Sequence, residues 1–284
     1  MEKLITKLKR VDRNYWILGI FFLVFVLFFL TPWIHGNDGV GYYSYVRSAF
    51  IDHDLDFKNE LDHYSASWKI NSIRQDDNTG KYFSQYPIGT ALFWSPFFLG
   101  GHLIASVTSY ANDGYSLPYV YLVCLGSAIY GFIGLCLLYS ILKKYFKKMY
   151  ALIALLAIWL SSNLFYYMFF ESSLSHSISF FLASLIILVW ERSLRKRKIG
   201  EYLFLGFLCG LAVLVRYQNI IFTSLLMIEL FPLLLYGKME KAVDFTKKSF
   251  SSLIAFFIVL IPQILLLMNK HGSFGVSYDG FLIF

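Results

Sequence analysis

An acid, an acid beside an imidazole, and a guanidinium fall at three places where long apolar runs of this chain give out. They are Asp38 in Gly36-Asn37-Asp38-Gly39-Val40-Gly41-Tyr42-Tyr43, Glu171 with Ser175 and His176, and Arg216 with Tyr217 and Gln218. Ionisable groups near membrane depth are costly and are usually retained for function or for pairing with one another. A carboxylate can take a proton from a hydroxyl or an amine. A guanidinium matches the paired oxygens of a phosphate. Such a set suits a reaction between a lipid-borne anion and a polar acceptor, provided the three places share one side of a membrane.

Each residue also has a plainer reading. Asp38 could cap the helix that follows it. Glu171 and His176 could form a helix-start pair, the acid favouring a helix N-terminus. Arg216 could snorkel to headgroups, and Arg47 could pair with a loop acid or a headgroup. Tyr86-Pro87 could simply open a helix, because proline suits the first turn. Asp52-His53-Asp54-Leu55-Asp56 has metal-like residue types, but neither an EF-hand glycine nor a terminal Glu follows in register, so it reads as a solvated loop. A divalent metal through Asp38, Glu171 and His176 is compatible with the residue types, and nothing in their spacing demands one.

The elements that must position these groups are membrane helices. Of 284 residues, 57% are hydrophobic and 15% charged, where a soluble domain carries roughly 25% charged residues. The apolar residues fall in long blocks, so the expected fold is an all-α polytopic membrane protein. The net charge of +7 lies in short clusters between blocks, which speaks for orientation and against nucleic acid. Cys124, Cys136 and Cys209 all sit inside apolar runs and read as inert thiols.

The basic start (Lys3, Lys7, Lys9, Arg10, Arg13) places the N-terminus in the cytoplasm. About seven spans follow: Tyr15–Ile34, Leu117–Leu142, Met149–Tyr167, His176–Trp190, Tyr202–Val215, Ile220–Tyr236 and Phe250–Met268. All the strongly basic loops, Lys143–Lys148 and Glu191–Lys198 above all, then share the inner side. The parity holds only if Tyr86–Ser106 does not span. Its Pro87, Pro96 and Gly100-Gly101 argue against one straight helix, so it is expected to lie in or dip into the outer interface. Tyr42, Val46, Ala49 and Phe50 carry the period of a surface helix lying at that interface. The whole chain, 1–284, reads as one transmembrane domain. A large extracytoplasmic loop with juxtamembrane helices covers 35–116, and 269–284 starts a further outer loop. The closing Phe281-Leu282-Ile283-Phe284 reads as the beginning of another segment, which leaves both a complete chain and a truncated or split gene open.

This order of features resembles the GT-C glycosyltransferases, the group that includes protein O-mannosyltransferases and bacterial aminoarabinose transferases. Asp38-Gly39-Val40-Gly41-Tyr42-Tyr43 stands where that family carries its acidic first-loop motif. Gln85-Tyr86-Pro87-Ile88-Gly89-Thr90-Ala91-Leu92 is similar to its proline-containing juxtamembrane segment. Ser172–Phe180 and Gly210–Gln218 resemble the boundary segments that line its site. Many members have an Asp-Glu pair in the first loop, whereas Gly39 follows Asp38 here. The resemblance implies inverting transfer of a sugar from a polyprenyl-phosphate donor to a lipid, glycan or protein acceptor, at the outer face of a bacterial inner membrane. It implies Asp38 as the general base, Arg216 with Arg47 stabilising the leaving phosphate, and Tyr86, Glu171, His176, Tyr217 and Gln218 shaping the substrate pockets. Two other readings stand beside it: a lipid-linked-sugar transporter or flippase, against which the near absence of mid-depth charge other than Glu229 counts, and a non-catalytic fragment.

Overall fold

A computed structural model of the chain describes residues 12–194, 197–236 and 239–271. The basic N-terminal run, Arg195-Lys196, Lys238 and the segment 272–284 lie outside the described residues, so the expectations placed on them are not addressed by it. The chain is mostly helical, and every apolar block expected to span forms helix. The helices are α1 (Arg13–Phe29), α2 (Gly36–Arg47), α3 (Lys58–Ser65), α4 (Gly89–Ser106), α5 (Leu117–Tyr145), α6 (Lys148–Ser161), α7 (Asn163–Phe169), α8 (His176–Ser193), α9 (Ile199–Val215), α10 (Ser224–Tyr236) and α11 (Met239–His271). The all-α expectation needs one amendment. Ile73–Gln75 (β1) and Tyr82–Ser84 (β2) pair antiparallel as a small hairpin within the segment between α3 and α4.

Among the described residues, two helices are long and apolar enough to cross a membrane by themselves, Leu117–Tyr145 and Val243–Met268. Helices α6 and α7 meet at 69° and supply a third if the bent pair is one span. The block 149–167 is therefore not the straight span expected from its composition. It breaks at Ser162, whose hydroxyl accepts from the Leu164 amide to start the second piece. Helices α1 and α9 have 17 residues each and α10 has 13. At about 1.5 Å per residue, α10 is well short of a 30 Å hydrocarbon core. The expected span Ile220–Tyr236 is shortened because Tyr217–Thr223 winds as a 3₁₀ helix first.

The core lies in two clusters. One packs Leu18 and Phe22 of α1 against Leu135, Trp159, Met168 and Phe169. The other joins α2, α4, α5, α8 and α9 through Tyr43, Trp94, Phe98, Tyr119, Ile178 and Ala212. Helix α2 belongs to this second core. Residues Gly39 to Arg47 are all buried, so it is not the surface helix that its apolar period suggests. The period is real, but the opposite face is covered as well, by the hairpin, α4 and the 113–115 loop. Helix α4 runs unbroken through Pro96 and Gly100-Gly101. The close approach of its Gly101 to α5, where a Cβ would lie 2.7 Å from the Tyr119 Cα, explains the glycine without a bend.

The loop containing Asp52 to Asp56 is exposed at His53 and Asp54, as a solvated loop should be, and its acids also serve as internal ties. Asp54 accepts from the Ser48 hydroxyl and the Asp56 amide, and Asp56 accepts from the Lys58 and Tyr82 amides. Asp52 and Glu60 both receive Arg47 Nη1, at 2.5 and 2.8 Å.

Candidate functional site

Asp38 is the third residue of α2, and its helix begins before it. The N-cap position belongs to His35, which makes no side-chain capping bond. The reading of Asp38 as a cap is therefore set aside: it lies in the first turn, where the positive end of the helix dipole favours a carboxylate. Its Oδ1 accepts a 2.5 Å hydrogen bond from the Tyr86 hydroxyl. One turn further on, Tyr42 is buried, packs against Tyr86 with ring centroids 4.8 Å apart and planes tilted by 37°, and accepts from the Ser175 hydroxyl at 3.1 Å. Burial pushes the Tyr42 hydroxyl up to about 12, so it remains a protonated donor at neutral pH.

The opposite wall comes from the end of α9. Arg216 is in extended conformation just past the helix, and one Nη approaches both ring nitrogens of His176 at 2.8 Å. The imidazole is stacked face to face on Tyr167, 3.8 Å between centroids and 5° from parallel. Asn219 fixes this turn by donating to the Ala212 carbonyl at 2.9 Å and accepting from the Ser179 hydroxyl at 2.9 Å.

The two walls meet because α4 starts against the end of α9. A Cβ on Gly89 would lie 2.3 Å from the Leu214 carbonyl carbon, so only glycine lets the backbones approach this closely. Gln263, inside α11, accepts from the Ile88 amide at 2.9 Å and holds the same junction from a third side. A cavity of about 250 Å³ results, lined by Asp38, Tyr42, Gln85, Tyr86, Pro87, Arg216, Tyr217 and Gln218. It holds one carboxylate and one guanidinium on facing elements. A larger cavity of about 630 Å³, among α8 to α11, is lined by Trp190, Leu205, Cys209, Met227, Phe256 and other mostly apolar side chains, and it contains none of the candidate groups.

Five of the residues singled out from the sequence thus share one cavity: Asp38, Tyr86, Arg216, Tyr217 and Gln218. His176 stands behind Arg216 rather than in the lining. Two are elsewhere. Arg47 is buried between Asp52 and Glu60, donates to the Asp113 carbonyl, and lies 4.1 Å over the Tyr115 ring. Its positive charge is spent on the loop acids and is not directed at a substrate phosphate. Glu171 pairs with His35 Nε2 at 3.2 Å and accepts from the Tyr166 hydroxyl. The trio Asp38, Glu171 and His176 is not assembled, since each has a different partner. Among the described residues, no group of three or more His, Cys, Asp or Glu side chains is placed to hold a metal ion.

Tyr42 and Gln85 line the cavity although sequence reasoning did not single them out. The signal was present for Tyr42, which lies four residues after Asp38 and so on the same helix face. The place of the second family acid is explained as well. A Cβ on Gly39 would come 2.7 Å from Ser173 Oγ, a buried hydroxyl without a hydrogen-bond partner among the described residues, so a longer side chain there would have to displace Ser173. Tyr86 takes the role of partner to Asp38 instead.

A family model for dolichyl-phosphate-mannose-protein mannosyltransferases matches residues 121–268, from α5 into α11 and including His176 and Arg216. No curated protein and no solved structure matches the chain. The match spans just over half of the sequence and agrees with the apolar helical fold; Asp38 and Tyr86 lie outside the matched residues. The chain belongs to the dolichyl-phosphate-mannose-protein mannosyltransferase family, membrane glycosyltransferases of GT-C type that draw on a polyprenyl-phosphate sugar donor.

Proposed function

We propose that the Asp38–Arg216 cavity transfers one sugar, with inversion, from a polyprenyl-phosphate donor to a hydroxyl or amine acceptor at the outer face of the membrane. The observation that carries this reading is the charge state of Arg216. The other buried arginines are neutralised: Arg47 by Asp52 and Glu60, and Arg197 by Glu229 at 2.9 Å. Arg216 instead abuts His176, and among the described residues no carboxylate comes within 4.0 Å of it. A half-buried cation without a counter-ion is a preformed site for an anion. The donor phosphate, which becomes a free anion when the sugar leaves, supplies one.

In this mechanism the acceptor oxygen or nitrogen attacks the anomeric carbon as the bond from that carbon to the phosphate oxygen breaks. The acceptor proton passes to Asp38. Arg216 stabilises the negative charge that develops on the phosphate. Gln85, Gln218 and Tyr217 offer amide and phenol groups for the sugar hydroxyls. Extracytoplasmic placement follows from the positive-inside reading of the basic loops, and the bacterial inner membrane from the likeness to the aminoarabinose transferases. Segment 1–284 is read as a single transmembrane domain in which α5 and α11 span by themselves and the shorter or broken apolar helices complete the bundle. A transporter is less well supported, because the mid-depth acid Glu229 is already paired with Arg197.

The test is transfer from polyprenyl-phosphate mannose in membranes containing the full chain. Asp38→Asn is expected to abolish transfer at unchanged expression and insertion. Arg216→Ala should raise the donor KM and lower kcat by about 10²–10³, the usual cost of removing a charge-stabilising donor. Wild-type rates in Asp38→Asn would falsify the general-base assignment. Unchanged donor kinetics in Arg216→Ala would return that residue to headgroup contact.

A further inference from the structure

We infer that Tyr86 is the positioning residue of the carboxylate: it holds Asp38 by one oxygen and leaves the other open to the acceptor proton. The inference rests on Asp38 being the base, and it replaces a direct substrate contact for Tyr86 with a role through Asp38.

Tyr86 is fixed by more contacts than a mobile pocket residue needs. Its amide donates to the Ser84 hydroxyl at 3.2 Å, and its carbonyl accepts from the Tyr45 hydroxyl at 3.0 Å. Its ring packs against Tyr42 at a 37° tilt and sits in the notch left by Gly41, where a Cβ would come 2.5 Å from Tyr86 Cδ2. Pro87 follows and removes backbone freedom on that side. Backbone and ring are both immobilised, and the hydroxyl then reaches Asp38 Oδ1 at 2.5 Å. Asp38 Oδ2 has no hydrogen-bond partner among the described residues, and Asp38 lines the cavity. One oxygen is anchored and the other is free, so the carboxylate presents a single basic atom in a single direction.

Tyr86 keeps its own proton throughout. Burial first, and then the hydrogen bond to Asp38, raise its hydroxyl above the usual phenol range, so it acts as a donor and not as a second base. In the transfer step the acceptor proton goes to Asp38 Oδ2, the bond from the acceptor to the anomeric carbon forms, and the bond to phosphate breaks. The Tyr86–Oδ1 bond is intact before and after. Gly41 has a derived role: it is the residue whose size lets the tyrosine ring take up this position.

The experiment compares Tyr86→Phe, Gly41→Ala, Asp38→Asn and the double variant Asp38→Asn/Tyr86→Phe. The full chain is assayed in membranes with polyprenyl-phosphate mannose as donor, reading released polyprenyl phosphate. Tyr86→Phe keeps the ring, its packing against Tyr42 and both backbone bonds, so it should melt with the wild type. Its kcat is expected to fall about 10- to 100-fold, the scale of a misaligned catalytic group, with the donor KM within twofold. Gly41→Ala should lower kcat in the same sense although Asp38 and Tyr86 are both present. The double variant should be no slower than Asp38→Asn, because the tyrosine acts only through the acid. If Asp38→Asn is inactive while Tyr86→Phe keeps the wild-type kcat, or loses only donor affinity, the positioning role is wrong and the base assignment survives. If Asp38→Asn is active, the base assignment itself is wrong.

Discussion

His176 bonds to Arg216 on one side and stacks on Tyr167 on the other, and this sandwich sets where the guanidinium points. An arginine side chain has up to about 2 kcal/mol of rotamer entropy to lose when it is held in one place. His176 and Tyr167 incur that cost in the folded state, before any donor arrives. His176→Ala should therefore raise the donor KM severalfold while leaving kcat close to wild type, a milder and differently shaped loss than Arg216→Ala. Steady-state kinetics over donor concentration checks this. A drop in kcat alone would indicate that His176 touches the reacting atoms itself. The pairing also accounts for Glu171, which the sequence places five residues before His176. In the fold it turns away to His35 from within the segment that connects α7 to α8.

At the scale of elements, the site depends on two junctions. The first is the contact of α4 with the end of α9 at Gly89. A methyl group there must move backbone, since the nearest atoms are the Leu214 carbonyl carbon and oxygen at 2.3 Å and the Val215 amide at 2.5 Å. Gly89→Ala is expected to destabilise the protein by about 1–3 kcal/mol, the usual cost of overpacking, and to raise the donor KM by parting Tyr86 from Arg216. Thermal melting together with kinetics reads both. The second junction fastens the far end of α2 through Arg47, Asp52 and Glu60. The Glu60 side chain is fully buried, and burial pushes its carboxyl up to about 7, although the Arg47 hydrogen bond and charge pull the other way. A folded-state value above the unfolded one means that the folded loop binds the proton more tightly. Stability from this group is then greatest below about pH 4.5 and is lost as pH rises through 7. Glu60→Gln should flatten the dependence of the melting temperature on pH over that window. A variant that kept the wild-type slope would assign it to another group.

At the scale of the whole molecule, the cavity lies at the end of α9 that the charge pattern assigns to the outer side. The loop between α5 and α6, with exposed Lys147, lies at the opposite end of that pattern. A cysteine introduced at exposed Asp77 should react with a membrane-impermeant maleimide in intact cells, and one at Lys147 only after permeabilisation. The native thiols are in helices and are buried or half-buried. Labelling of the Lys147 position from outside would invert the topology and move the cavity to the cytoplasm. A further packing contact shapes the molecule as a whole. Gly206 of α9 lies so close to α11 that a Cβ would meet the Ser252 carbonyl oxygen at 2.0 Å, and this locks the last long helix onto the one that ends in Arg216.

Chain order and composition by themselves determined that this is a helical membrane protein and which blocks form helices, and they put Asp38 and Arg216 among the polar groups expected on one side. Apolar content and the placement of basic clusters are properties of the linear chain, because lipid forces the backbone to satisfy itself locally. Helix breaks were less legible. The bend at Ser162 and the 3₁₀ turn at Tyr217–Thr223 arise from local hydrogen bonds that hydropathy does not register. Partner choice was legible least of all. Arg47, Glu171 and His176 looked equivalent to Arg216 as polar residues near an interface, yet the fold gave Arg47 to the loop acids and Glu171 to His35. Only tertiary structure decides that, because an ion pair depends on distances of a few ångströms between residues far apart in sequence. Asp38 was the residue the sequence marked first. The fold supplied what the sequence withheld, which is a tyrosine 48 positions away that holds one of its oxygens and leaves the other free.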